Sequence, residues 1–171
     1  HVPHGELSKA RAVRRVTVDA GLQVCAYGSY YRAGEVGSTE PELGAVLDTA
    51  AELETDVVRV WAGRRGSADA ESAYRERVVT ALRAACEQAA ARGLRIATEY
   101  HGRTLTDTPA STALLFKEVN HPNLFTFWQP ARGATPPAAH ASLVAVQSRV
   151  LNCHVFHWVG PPIERRPLAE G

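Results

Sequence analysis

The amino-acid sequence predicts an α/β protein, a parallel sheet curving into a partial (β/α)8, or TIM, barrel with about five of the eight strands in the chain. Three observations carry that expectation. Strand-like and helix-like segments alternate at intervals of roughly thirty residues, the period of a βαβ unit with its crossover. Every connection between the strands contains a helical segment, which requires parallel strands with helices outside. Side-chain parity is lopsided: in the strand near Arg59, Val58 and Val60 share one face while Arg59 and Trp61 share the other. An open sheet covered by helices on both faces would be apolar on both, whereas a barrel gathers polar groups inside its C-terminal mouth. A complete barrel takes about 250 residues. A chain of 171 residues is therefore expected to be a single partial barrel domain over residues 1–171, short of strands at both ends.

The elements follow in order. His1 to Gly5, HVPHG, reads as the tail of a strand or the loop after one, and Glu6 to Ala20 as a helix closed by Gly21. Leu22 to Tyr27 is a compact apolar strand candidate leading into a Gly-, Ser- and Tyr-rich loop through Gly37. Ser38 or Thr39 suits the cap of a helix with Glu40, Pro41 and Glu42 in its first turn and Leu43, Val46, Leu47 and Ala50 as its buried stripe. Asp56 to Trp61 is the next strand. A loop through Gly66 leads to a long helix, about Ala70 to Arg92, with Tyr74, Val78, Leu82, Ala85 and Ala89 on its core face and Gly93 after it. Leu94 to Glu99 is the central strand. A helix from about Pro109 to Val119, capped by Thr108, precedes the strand Leu124 to Gln129. Pro137 to Arg149 is the last helix, Val150 to Trp158 the last strand, and the remaining Pro-rich chain reads as irregular.

Composition narrows the function. The formal net charge of +1 gives no long-range field to draw nucleic acid or an anionic membrane. Lys9, Arg11, Arg14 and Arg15 form a basic run that reads either as a phosphate patch or as the solvated face of a helix. There is no apolar run of the roughly 18 residues a membrane helix needs, and no signal-peptide pattern at the start. Cys25, Cys86 and Cys153 are scattered without a CxxC pair, which fits a reduced, cytoplasmic protein. Methionine is absent and the chain begins at His1, as expected of a piece of something longer.

The chemistry-bearing residues gather at strand ends. Alternation along LRIATE places Arg95, Ala97 and Glu99 on one face, so the strand delivers a carboxylate to its C-terminal end, where α/β folds hold their sites. Such a carboxylate also serves as a cap or loop anchor. His154 shares its parity with Asn152 and points into the mouth, either as a ligand or as a core histidine satisfied by a neighbour. His157, three residues on, faces away while the strand stays regular, so HVFH is not a chelating pair. Gln129 ends its strand with an amide able to ligate a metal, bond a hydroxyl or cap the loop that follows. Arg59 inside a barrel needs an anionic partner, whether a structural carboxylate or a substrate oxyanion. His4 and His101 read as loop residues. A carboxylate, an imidazole and an amide on successive parallel strands suit a divalent metal that polarises vicinal oxygens.

ATEYHGRTLTDT, HPNLFTFWQP and NCHVFHW, each at a strand end and in this order, resemble the xylose isomerase-like TIM-barrel family. That family includes sugar and sugar-phosphate isomerases and epimerases and, more distantly, metal-dependent apurinic endonucleases. The resemblance runs from about Val57 to Gly171 and makes the visible strands the third to seventh of eight. It implies one divalent ion (Mn, Co, Mg or Zn), held by a Glu, an Asp, a His and a Glu on the fifth to eighth strands. Glu99 matches the first and His154 the third. Gln129 stands where the family has Asp, which removes a negative charge and weakens the metal site. The eighth-strand Glu lies beyond this sequence. RRPLAEG resembles the segment leading to it, where Arg165 or Arg166 meets substrate.

Carried over, Glu99 is ligand and base, His154 a ligand, and Gln129 a weak ligand or substrate contact. Arg59, Trp61, His101 and Arg165 are the expected substrate contacts. The implied reaction is isomerisation or epimerisation of a small carbohydrate through an enediolate. Two alternatives stay open: a non-catalytic sugar or polyol binder, and a metal-dependent phosphodiesterase on abasic DNA, against which the low net charge speaks. No nucleic-acid or membrane partner is expected. Open sheet edges invite pairing between copies, so a homo-oligomer is compatible with the sequence.

Overall fold

A computed structural model describes residues 1–37 and 41–170. Five parallel strands form one sheet in the order β1-β2-β3-β4-β5: β1 (Tyr27–Arg32), β2 (Val57–Trp61), β3 (Arg95–Glu99), β4 (Leu124–Trp128) and β5 (Val150–Cys153). The helices α1 (Leu7–Asp19), α2 (Leu43–Glu52), α3 (Ser72–Ala90), α4 (Pro109–Val119) and α5 (Pro136–Val144) precede or connect them in turn. A separate antiparallel hairpin, β6 (His157–Val159) with β7 (Glu164–Arg166), follows the sheet.

The two faces of the sheet differ as parity requires. Val58, Val60, Ile96 and Leu124 pack outward with Val46, Leu47, Val78, Leu82 and Leu115 in the main core. The concave face holds a smaller cluster of Val57, Ala97 and Phe127, against which Ala26, Phe125 and Leu151 rest. Arg59 and Glu99 continue that inner face towards the C-terminal ends of their strands. At roughly 1.5–3 kcal/mol for each large apolar side chain removed from water, the outer layer contributes most of the burial energy. The inner face is left to position side chains.

Some expected boundaries hold closely. Thr108 caps α4, its hydroxyl accepting from the Ser111 N–H at 3.2 Å, and Pro109 occupies the first turn. Others move. The first strand lies at Tyr27–Arg32 and not at Leu22–Tyr27. Leu22 is 63% exposed, whereas Tyr27 and Ser29 are buried, and the Ser29 hydroxyl donates to the Arg59 carbonyl oxygen at 2.7 Å. Paired polar groups have here outweighed an apolar run. The expected cap at Ser38 or Thr39 falls outside the described residues; α2 starts at Leu43, after an extended Glu42. The last helix stops at Val144, and a 3-10 turn at Gln147–Arg149 follows.

The last strand is also shorter than expected. Between β4 and β5 the register slips by one residue, since Thr126 pairs with Val150 but Phe127 with Asn152. Leu151, expected on the helix side, consequently packs inside against Ala97 and Phe127, while Cys153 and Val155 stay exposed. The chain leaves the sheet after Cys153, with the His154 N–H bonded to the Trp128 carbonyl at 2.8 Å. The segment expected to be irregular turns back at Gly160 to form the hairpin. Gly160 has φ +138°, and a Cβ there would lie 1.9 Å from the Pro162 carbonyl oxygen.

His4 ties the first loop to the sheet. Tyr27 Oη donates to the Val2 carbonyl at 2.8 Å, so His4 Nδ1, at 2.6 Å, carries the hydrogen it shares with that oxygen. Burial lowers the His4 pKa. The unfolded chain then binds the proton more readily, so this residue's contribution to stability is whole above about pH 6.5 and falls as pH drops through that value. The melting temperature should therefore decline between pH 7.5 and 5.5, and by less in His4→Gln, whose amide still reaches Tyr27. Equal declines in the two proteins would show that His4 plays no part.

Candidate functional site

Glu99 is the last residue of β3, with a side chain only 9% exposed. Arg59, on the inner face of β2 and 15% exposed, donates from Nη1 to Glu99 Oε2. The guanidinium is 5.7 Å from the Trp61 ring and 6.0 Å from Tyr30. Gly28 makes room for it, because a Cβ at that position would stand 3.0 Å from Nη2. Arg59 thus has a carboxylate partner from this chain, one of the two possibilities the sequence leaves open.

The second oxygen of Glu99 faces His154. His154 Nδ1 lies 3.7 Å from Glu99 Oε1 and 3.3 Å from Gln129 Oε1, and its ring stands edge-on to Phe127 at 5.7 Å. Three side chains from successive strand ends thereby converge on the concave side of the sheet. They line a cleft of about 640 Å³ with His101, Asp107, Arg132, Phe156 and Trp158. Trp61 stacks with His101, their centroids 4.6 Å apart. His101 Nδ1 lies 2.7 Å from the Gly102 carbonyl oxygen. A carbonyl only accepts, so Nδ1 carries the hydrogen, and in the neutral ring Nε2 is then the acceptor. Of the expected substrate contacts His101 lines this cleft, Trp61 lines an adjoining pocket that also includes His101, Arg59 holds Glu99, and Arg165 sits on the hairpin with its guanidinium 5.0 Å from the ring of the cleft-lining Phe156. Arg166 pairs with Glu164.

The loop after β3 is held tightly, which sequence reasoning missed. The Thr106 hydroxyl donates to the Glu99 carbonyl at 2.6 Å, and the Thr104 hydroxyl to the His101 carbonyl at 2.7 Å. Leu105 N–H bonds the Ala62 carbonyl, and Asp107 Oδ2 accepts from the Ser67 N–H at 2.9 Å, pinning the loops after β2 and β3 together. Alternating threonines in TLTDT were the available signal, since hydroxyls that bond nearby backbone are typical of fixed turns. Burial, with Asp107 nearby adding to it, pushes the Tyr100 phenol up to about 12, so it stays protonated at neutral pH.

Among the described residues no three His, Cys, Asp or Glu side chains cluster as metal ligands. The donor set Glu99 Oε1, Gln129 Oε1 and His154 Nδ1 nevertheless fits one ion. Ligands at about 2.1–2.3 Å from a common metal lie about 3.0–3.7 Å from one another, and His154 Nδ1 is 3.3 Å from Gln129 Oε1 and 3.7 Å from Glu99 Oε1. The one anionic donor makes it a weakly charged site.

A family model described as xylose isomerase-like TIM barrel matches residues 3–131. The chain belongs to this family. A 3-dehydroshikimate dehydratase of Bacillus anthracis is 42% identical over 72 residues, which is 42% of this chain and 26% of that protein. Among solved structures, a 3-keto-D-glucoside 4-epimerase from E. coli superposes with TM-score 0.72 at 15% identity, over 88% of this chain and 65% of the epimerase. A xylose isomerase-like TIM barrel protein from Mycobacterium smegmatis, in complex with magnesium, superposes with TM-score 0.71 at 16% identity, over 96% of this chain and 63% of that one. This xylose isomerase-like chain therefore spans less than two thirds of each of these relatives. Among its described residues no helix is long and apolar enough to cross a membrane.

Proposed function

We propose that the cleft belongs to a sugar isomerase or epimerase that moves a proton next to a carbonyl group. The observation that supports this reading most directly is the convergence of Glu99, Gln129 and His154 at strand C-termini, with Arg59 fixing one oxygen of the carboxylate. Inverting or isomerising a carbon beside a carbonyl takes a proton from that carbon and returns it to the other face or to the neighbouring carbon. The epimerase and dehydratase relatives agree with sugar-like substrates of this kind.

The carboxylate of Glu99 has about four lone-pair sites. Arg59 occupies one on Oε2, which leaves Oε1 directed at the cleft. In the proposed step the Oε1 lone pair that a bound ion leaves free accepts the proton from the carbon α to the substrate carbonyl. The C–H electrons become the carbon–carbon double bond, and the carbonyl π pair moves onto oxygen, giving an enediolate. A proton delivered by a donor on the other face completes epimerisation; returning the proton to the former carbonyl carbon, with the α-hydroxyl proton passing to the former carbonyl oxygen as the new C=O forms, completes isomerisation. The trapped position of Glu99, with little side-chain freedom to lose, suits a general base. Trp61 and His101 form a wall of the mouth that would contact the substrate. A divalent ion held by Glu99, Gln129 and His154 would polarise adjacent substrate oxygens when bound.

Two measurements test the reading. Incubating the complete protein with ketoses and aldoses in deuterium oxide should label the carbon next to the carbonyl, read by mass spectrometry; binding without labelling would make the protein a sugar binder. Gln129→Asp should tighten Mn2+ binding about tenfold or more, equivalent to about 1.4 kcal/mol, because a second carboxylate attracts a +2 ion more strongly than an amide. Calorimetric titration with unchanged or weaker affinity would remove Gln129 from the ligand set.

A further inference from the structure

The cleft has an aromatic wall that the proton-transfer chemistry does not use. Phe156 and Trp158 are separated by one residue at the start of the β6/β7 hairpin, and both line the cleft that contains Glu99, Gln129 and His154. Their ring centroids are 5.4 Å apart and the planes differ by 34°. The Arg165 guanidinium lies over the Phe156 ring at 5.0 Å and that of Arg132 over Trp158 at 6.0 Å, so each ring has a cation against one face, and both rings line the cleft. These two rings thus line the cleft together with the polar cluster at the strand ends.

A closed sugar ring has the complementary shape. One face of a pyranose or a carbocyclic polyol carries axial C–H bonds, and the hydroxyls project around the rim. The C–H bonds are weakly positive and the face of an aromatic ring is negative, so the two attract while apolar surface leaves water. An open-chain sugar has no such face. Its C–H bonds point in all directions as the chain rotates, and ordering it against a flat surface costs several rotors.

We propose that Phe156 and Trp158 form a platform that holds the substrate as a closed ring bearing a ring ketone, its C–H face on the aromatics and its rim towards Glu99, Gln129 and His154. This rests on the sugar-transforming reading above and narrows it to cyclic substrates. The hairpin stands apart from the parallel sheet, so the two rings can be altered without touching the main core.

Isothermal titration of the full chain with methyl β-D-glucopyranoside, methyl β-D-xylopyranoside and methyl α-D-galactopyranoside tests it, since the methyl acetal locks each ring closed. D-Glucitol serves as the open-chain polyol. At least one ring should bind at least tenfold more tightly than glucitol. Trp158→Ala and Phe156→Leu should each weaken that ring at least tenfold, with Trp158→Phe keeping most of the affinity and circular dichroism confirming the fold. Glucitol binding as tightly as the rings, or ring affinity unchanged in the folded Trp158 and Phe156 variants, overturns the platform and leaves the sugar reading standing. Failure of every ring and of glucitol to bind overturns both.

Discussion

Glu99→Gln is expected to lower solvent-deuterium exchange at the substrate's α-carbon by about 10³-fold in the complete protein, within the range that a positioned general base contributes. Glutamine keeps the size and hydrogen-bonding reach of the side chain but loses the charge and the basic lone pair. The melting temperature falls in the same variant, because Arg59 then faces a neutral amide in a largely buried position. Stability alone therefore does not separate a catalytic Glu99 from a structural one, since the ion pair makes it structural in either case. Exchange does separate them. A folded Glu99→Gln protein with its exchange rate intact would make Glu99 a scaffold residue and leave His101 Nε2 as the group to test next.

The sheet was legible because its signals are local and repeated. Each helix carries its stripe, and the parity of β2 and β3 alone separates the helix-facing valines from Arg59 and Glu99. The convergence of Glu99, Gln129 and His154 was legible because parallel strands all end at one edge of the sheet, although Glu99 itself pairs with Phe127 and the register slips between β4 and β5. What was missed depends on contacts between distant segments. The first strand is selected by Tyr27 and Ser29 bonding to Val2 and Arg59, partners 25 and 30 residues away, and not by its own apolarity. The early end of β5 follows from a one-residue register slip that no property of VLNCHVFHW announces. Arg165 was assigned to the mouth on resemblance; it stands on a hairpin that was itself unforeseen, against the cleft-lining Phe156. Gly28 gave no signal of its own, because its role is to leave space for an arginine from the neighbouring strand.

Arg59→Met is expected to destabilise the chain by about 3 kcal/mol, the low end of the range for removing one partner of a buried ion pair. The low end applies because the pair opens onto the cleft, where water partly solvates the abandoned carboxylate. For a chain of this size the melting temperature should drop by about 6–12 °C. The origin of the loss is the uncompensated charge, because Met replaces most of the buried stem and keeps its packing between Tyr30 and Trp61. A second change isolates that term. Arg59→Met combined with Glu99→Leu removes both charges and fills the space with apolar atoms, so the double variant should recover most of the stability, to within about 1 kcal/mol of the parent. Losses that simply add would mean that Arg59 is held by its aromatic neighbours and not by Glu99. In that case its guanidinium would be available to a substrate oxyanion, and the same cycle run with exchange as the readout would show Arg59→Met slowing the reaction with little effect on folding.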